Sequence, residues 1–224
     1  NDKYYPGSSV TDVLVHSDNV GMVWVAQRLG QDKLVQYLHK FGIGVQTGID
    51  LQDESSPALR PDSAWSEVDL ATAAFGQGIA VTPIQMLRAA AVIANGGKLI
   101  FPTLAVNKPQ PPRRIISQSA AAQMTAMMVK AVADGEAKWA KPAGYTVAGK
   151  TGTAQIPVAG HYDDQKTIAS FVGFSPATDP HFVMLVTLKE PQSSPWGSET
   201  AAPLWFDVAK ELWRYFQIAP DKQV

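Results

Sequence analysis

Three stretches in the last third of the chain follow one another closely: residues 145–156, 167–175 and 181–190. Each is rich in β-branched and apolar residues, the composition of strands. The connections between them hold fewer than a dozen residues, shorter than the crossover that parallel pairing requires, which suggests antiparallel pairing. "HFVMLVTLKE" (181–190) is apolar enough to predict a central strand. Behind it, residues 202–216 predict an amphipathic helix with Leu204, Val208, Leu212 and Tyr215 on one stripe, suited to covering a sheet face.

Upstream the periodicity is helical. Residues 18–29 and 32–41 place apolar groups at helical spacing, and Gly42 supplies a stop. Residues 42–65 are rich in Gly, Pro and Ser and predict a long irregular connection. Ser66 and Asp69 are spaced as an N-terminal capping pair. "VTPIQMLRAAAVIANGG" is the clearest helix: Thr82 caps, Pro83 suits the first turn, Gln85 completes a capping box, and Gly96 ends it. A proline-rich loop (107–114) precedes a helix opened by Ser117 and ending near Gly135. The expected fold class is α+β. About 13–143 forms a mainly helical part, and about 144–218 an antiparallel sheet with a packed C-terminal helix.

Composition narrows the function classes. With 19 Lys+Arg against 20 Asp+Glu, the net charge of -1 carries no electrostatic footprint for nucleic acid. Cysteine is absent and the four histidines are scattered, so neither a disulfide framework nor a metal centre is expected. No apolar run of about eighteen residues exists to span a membrane. The chain starts at Asn1 rather than Met, and we read it as part of something longer.

One motif has two readings. "GYTVAGKT" (144–151) fits G-x-x-x-x-G-K-[ST], the phosphate-cradling P-loop, letter for letter. A P-loop needs a buried strand before its first glycine and a helix directly after its Lys-Thr. Here "KWAKPA" precedes Gly144, "YTVA" is itself strand-prone, and Gly152, Pro157 and Gly160 follow. The context therefore contradicts the pattern. The alternative is K-T-G, Lys150-Thr151-Gly152, within a strand. There Gly152 permits close approach of a ligand backbone, and the Thr151 and Thr153 hydroxyls are available to a carboxylate. Strict alternation sets Lys150 and Thr151 on opposite sides, leaving open how both serve one site.

A second box, Ser17-Asp18-Asn19, precedes the helix at 18–29. Its plain reading is helix capping, at which all three residue types excel. Its functional reading is the S-D-N box that accompanies K-T-G in penicilloyl serine enzymes. With "FGIGVQTGIDL" (41–51), "AFGQGIAVTPIQMLRAAAVIANGG" (74–97), "VAGKTGTAQ" (147–155), "ASFVGFSPA" (169–177) and "SETAAPLWFDVAKELWRYF" (198–216), the chain resembles the transpeptidase domain of class B penicillin-binding proteins, over about residues 13–216.

The resemblance implies a serine acyl-enzyme D,D-transpeptidase acting on the D-alanyl-D-alanine end of peptidoglycan stem peptides, with β-lactams as substrate mimics and no cofactor. It implies catalytic roles for Ser17 (proton relay), Asn19 (holding the substrate amide and orienting the catalytic lysine) and Lys150 (positive potential beside Ser17). Thr151, Gly152 and Thr153 would form the carboxylate-binding edge, with the Thr153 N–H as an oxyanion donor. It further implies an extracytoplasmic location behind an anchor outside this chain. The implied protein partners are a membrane-embedded glycan polymerase and division or elongation proteins.

The chain departs from the family in two places. No serine is followed three places later by lysine, so the S-x-x-K nucleophile is missing. Neither acylation nor cross-linking is then expected of these residues alone, and strands preceding that motif should be absent, leaving an exposed sheet edge. A non-catalytic penicillin-binding-like interaction module remains the alternative. Second, Gly197-Ser198-Glu199-Thr200 stands where the family often has paired glycines.

Overall fold

The computed structural model describes residues 6–106, 110–158 and 161–221. Part of the predicted proline-rich loop (107–109) lies outside them. The chain forms two compact units whose boundary runs between Met124 and Thr125, inside a helix. Leu14–His16 belong with the second unit and the rest of the earlier chain with the first.

The first unit is helical. A short α1 (Val10–Val15), whose last two residues belong to the second unit, was not evident from periodicity. It is followed by α2 (Asn19–Leu29) and α3 (Gln31–Lys40), separated by Gly30 at φ 86, a conformation that favours glycine. Next come α4 (Glu67–Ala74) and α5 (Pro83–Ala94). Both predicted capping boxes form, Ser66 with Asp69 and Thr82 with Gln85. A two-stranded ribbon pairs β1 (Lys98–Leu99) with β2 (Arg113–Arg114), and α6 (Gln118–Asp134) follows.

The connection at 42–65 is irregular, as predicted, yet firmly held by α5. Gln85 is fully buried and donates to the Val45 carbonyl at 2.8 Å and to Ser56 Oγ at 3.2 Å. Arg88, only 4% exposed, donates through Nη2 to the Gly42 carbonyl at 2.7 Å and through Nη1 to Gln46 at 3.3 Å. Gly42 has φ 88, and the Arg88 guanidinium fills the space where its Cβ would stand. Buried polar groups cost free energy unless paired, so these bonds set the path of the loop.

In the second unit β3 (Ala148–Val158), β4 (His161–Ser175) and β5 (Phe182–Lys189) form an antiparallel sheet in the order β3-β4-β5. The register shifts between Gln155 and Pro157, where proline has no N–H for the ladder. Among the described residues β4 is central, flanked on one side by β3 and on the other by β5. The apolar character of β5 is explained by one face: Phe182, Met184, Val186 and Leu188 pack against the core beneath α7 (Ala201–Tyr215).

That helix buries Ala201, Ala202, Trp205, Phe206, Ala209 and Trp213. The stripe predicted from periodicity is a different one, and Leu204, Val208 and Tyr215 are exposed. The sheet decides the face. Gly149 pairs with Gly173, and these two leave room for the rings of Phe171 and Trp205, whose centroids lie 5.2 Å apart. Trp205 Nε1 donates to the Met184 carbonyl at 2.9 Å, and Trp213 Nε1 to Ser175 Oγ at 3.0 Å. Each buried indole thus keeps a partner for its N–H while removing a large apolar area from water.

Candidate active site

Along β3 the side chains alternate, so Thr151 and Thr153 share one face and Lys150 and Gly152 the other. The lysine nevertheless meets Thr151. Its Nζ donates to the Thr151 carbonyl and to Thr151 Oγ1, each at 3.1 Å. The long side chain thus reaches its neighbour's hydroxyl despite the alternation. Burial pulls the Lys150 ammonium below the ordinary lysine value, and the Glu136 carboxylate opposes that shift. Thr151 Oγ1 in turn donates to Glu136 Oε2 at 3.3 Å.

At the next residue on that face, Thr153 Oγ1 accepts from the Gly197 N–H at 3.0 Å. Gly152 pairs with Ser170, and a Cβ on Gly152 would come within 2.6 Å of Ser170 Oγ. A residue with a Cβ here would have to turn the Ser170 hydroxyl aside. As an edge strand, β3 also presents backbone N–H and C=O groups directed away from β4. The result is a row of a cation, two hydroxyls and open backbone groups, chemistry suited to an extended peptide ending in a carboxylate.

Ser17, Asp18 and Asn19 belong to the first unit, whereas Lys150–Thr153 belong to the second. Within the S-D-N box the labour is divided. Asp18 caps α2, accepting from the N–H groups of Val20 at 3.0 Å and Gly21 at 3.2 Å. Ser17 takes φ 53, uncommon for a residue with a Cβ, and such strain gathers at functional sites. Asn19 is the first helical residue and is exposed. Capping therefore accounts for Asp18.

The P-loop reading fails here as it did in sequence. Lys150 and Thr151 lie inside a strand that continues to Val158, and no helix N-terminus follows them.

Sequence reasoning missed two contributors. Glu136 lies 15 residues from Thr151 along the chain, in the turn after α6, and nothing local marks it. Gly197 was noted as a departure from a family pattern, not as the donor to Thr153.

Residues 1–212 match the family model for the penicillin-binding protein transpeptidase domain. The chain is 37% identical to the stage V sporulation protein D of Bacillus subtilis, covering 94% of the chain and 35% of that protein. It is 33% identical to the peptidoglycan D,D-transpeptidase FtsI of Escherichia coli, over 97% of the chain and 37% of that protein. Among solved structures, the transpeptidase domain of Burkholderia pseudomallei penicillin-binding protein 3 superposes with a TM-score of 0.89 at 29% identity, covering 96% of this chain and 66% of that one. Penicillin-binding protein 3 of Mycobacterium tuberculosis, crystallised with ampicillin, gives 0.86 at 30% identity, covering 96% of this chain and 52% of that one. The chain belongs to the penicillin-binding protein transpeptidase family. It spans 35–37% of the length of these two sequence relatives.

Proposed function

We propose that this chain is the C-terminal part of a peptidoglycan D,D-transpeptidase domain and carries the ligand-carboxylate half of its site. The observation that carries the reading is the β3 edge, where Lys150, Thr151 and Thr153 line up beside Gly152. In the reaction, a serine oxygen attacks the penultimate D-alanine carbonyl. The amide C–N bond breaks, and the terminal D-alanine leaves after taking a proton. An amine of a neighbouring stem peptide then attacks the ester, forming the cross-link and returning the serine. Lys150 offsets the developing negative charge, Ser17 passes the proton, and Asn19 holds the substrate amide and orients the catalytic lysine. Thr151 and Thr153 hold the terminal carboxylate, and the Thr153 N–H contributes to the oxyanion site.

No S-x-x-K occurs in these residues, so the nucleophile comes from outside them and the segment alone does not acylate. β-Lactams acylate the same serine. The setting is the outer face of the bacterial membrane, beside a glycan polymerase and proteins of division or elongation. Among the described residues no helix is long and apolar enough to cross a membrane.

The test is a fluorescent penicillin added to the full-length protein. Covalent labelling of one serine, abolished by Lys150→Ala, is expected. Absence of labelling would favour the non-catalytic interaction module to which the missing S-x-x-K points.

A further inference from the structure

The two hydroxyls of the K-T-G edge are not equivalent. Thr153 Oγ1 accepts from the Gly197 N–H, an arrangement that leaves its own proton to donate to a ligand. Thr151 Oγ1 accepts from Lys150 Nζ, and its single proton is directed to Glu136 Oε2. An ionised carboxylate only accepts, so the direction of that bond is settled by chemistry. Glu136 is exposed and stands in the turn after α6, with the buried Gly135 and Ala137 on either side fixing its backbone.

A ligand carboxylate arriving at Thr151 therefore meets two obstacles. It must take the hydroxyl proton from Glu136, and it must come to rest beside a second negative charge. Like charges brought together without an intervening cation are unfavourable even near a surface. Lys150 offsets this, but its charge is shared between the incoming anion and Glu136.

We propose that Glu136 is a specificity-determining positioning residue of this site. Its carboxylate holds the Thr151 hydroxyl and lowers the strand's preference for ligands that carry a carboxylate. The inference rests on the transpeptidase reading above and adds to it a residue that acts through Thr151. Recognition of the anion then falls mainly on Thr153, and Thr151 is recruited only when the ligand outcompetes Glu136. A neutral ligand of the same shape escapes the penalty, because it does not oppose Glu136.

The test compares acylation of the full-length protein by benzylpenicillin and by its uncharged methyl ester. In Glu136→Ala and Glu136→Gln, the acid-over-ester ratio of second-order acylation rates should rise about tenfold, the scale of one screened unit charge near a surface. Glu136→Asp should return the ratio close to wild type, and added salt should shrink the difference between wild type and Glu136→Gln. A purely structural role would slow both probes together and leave the ratio unchanged. Glu136→Gln keeps the size of the side chain and serves should Glu136→Ala not fold. An unchanged ratio in a wild-type protein that labels normally would overturn this inference and leave the transpeptidase reading intact. A wild-type protein labelled by neither probe would overturn both.

Discussion

The backbone N–H of Gly197 donates to the Thr153 hydroxyl at 3.0 Å, joining positions 44 residues apart. This bond ties the loop before α7 to the edge of β3, and it depends on glycine. A Cβ at position 197 would press into the Gly152 carbonyl oxygen and lie 2.6 Å from the Ser170 carbonyl oxygen. Both are backbone atoms of paired strands and cannot swing aside. Gly197→Ala is expected to cost about 2–3 kcal/mol, as overpacking does. A thermal melt should fall by roughly 4–12 °C at this chain length. Penicillin acylation of the full-length protein should slow at least about tenfold, because the threonine beside the loop is displaced.

Arg88 supports a different segment. Removing it leaves the Gly42 and Gln46 carbonyls without their donor and opens space in a region where it is almost wholly buried. Arg88→Ala should destabilise by about 3 kcal/mol, in the range for breaking a buried charged network. Limited proteolysis should then cut within residues 42–56 first. Equal cleavage rates in wild type and variant would contradict this role.

Three carboxylates of the first unit titrate below their ordinary values. Asp50 is lowered chiefly by the Leu104 N–H, with help from the Thr103 hydroxyl and the Ala105 N–H. At Glu54, burial pushes upward but is outweighed by the Thr47 hydroxyl, the Thr47 and Gly48 N–H groups and the charge of Arg88. Asp69 is lowered by the Ser66 hydroxyl, then by the Ser66 N–H and by Arg60. A carboxylate whose folded value is depressed contributes stability above its unfolded value, and that stability is lost as pH falls through the folded value. The loss should begin near pH 4 and grow below it. Urea melts between pH 7 and pH 3 check this, and Asp50→Asn together with Glu54→Gln should flatten the acid limb.

The face chosen by α7 makes a paired prediction. Trp205 is fully buried, whereas Leu204 beside it is 43% exposed. Trp205→Ala should cost about 3–5 kcal/mol through lost burial and a cavity. Leu204→Ala should stay within about 0.5 kcal/mol, as exposed substitutions do. Similar losses at both positions in chemical denaturation would place the helix the other way round.

Local chemistry in the sequence was enough for the longer elements and the α+β class, though not for α1 or the β1–β2 ribbon. Capping boxes at Ser66 and Thr82, Gly42 after α3 and the antiparallel run of strands are all short-range signals, readable without a partner. The K-T-G strand was legible for the same reason: Gly152, Pro157 and the β-prone residues around Lys150 exclude a helix whatever lies nearby. The tertiary structure alone decided three things. It chose the buried stripe of α7, since the paired Gly149 and Gly173 make room for large rings and alanines allow close approach around Trp205. It set the order β3-β4-β5 among the described residues, because strand order is a property of pairing and not of composition. And it brought Glu136 to Thr151 and Gly197 to Thr153, contacts spanning 15 and 44 residues that no local pattern encodes. Such contacts exist only after the sheet and α6 have packed, which is why the sequence named the strand of the site and the fold named its neighbours.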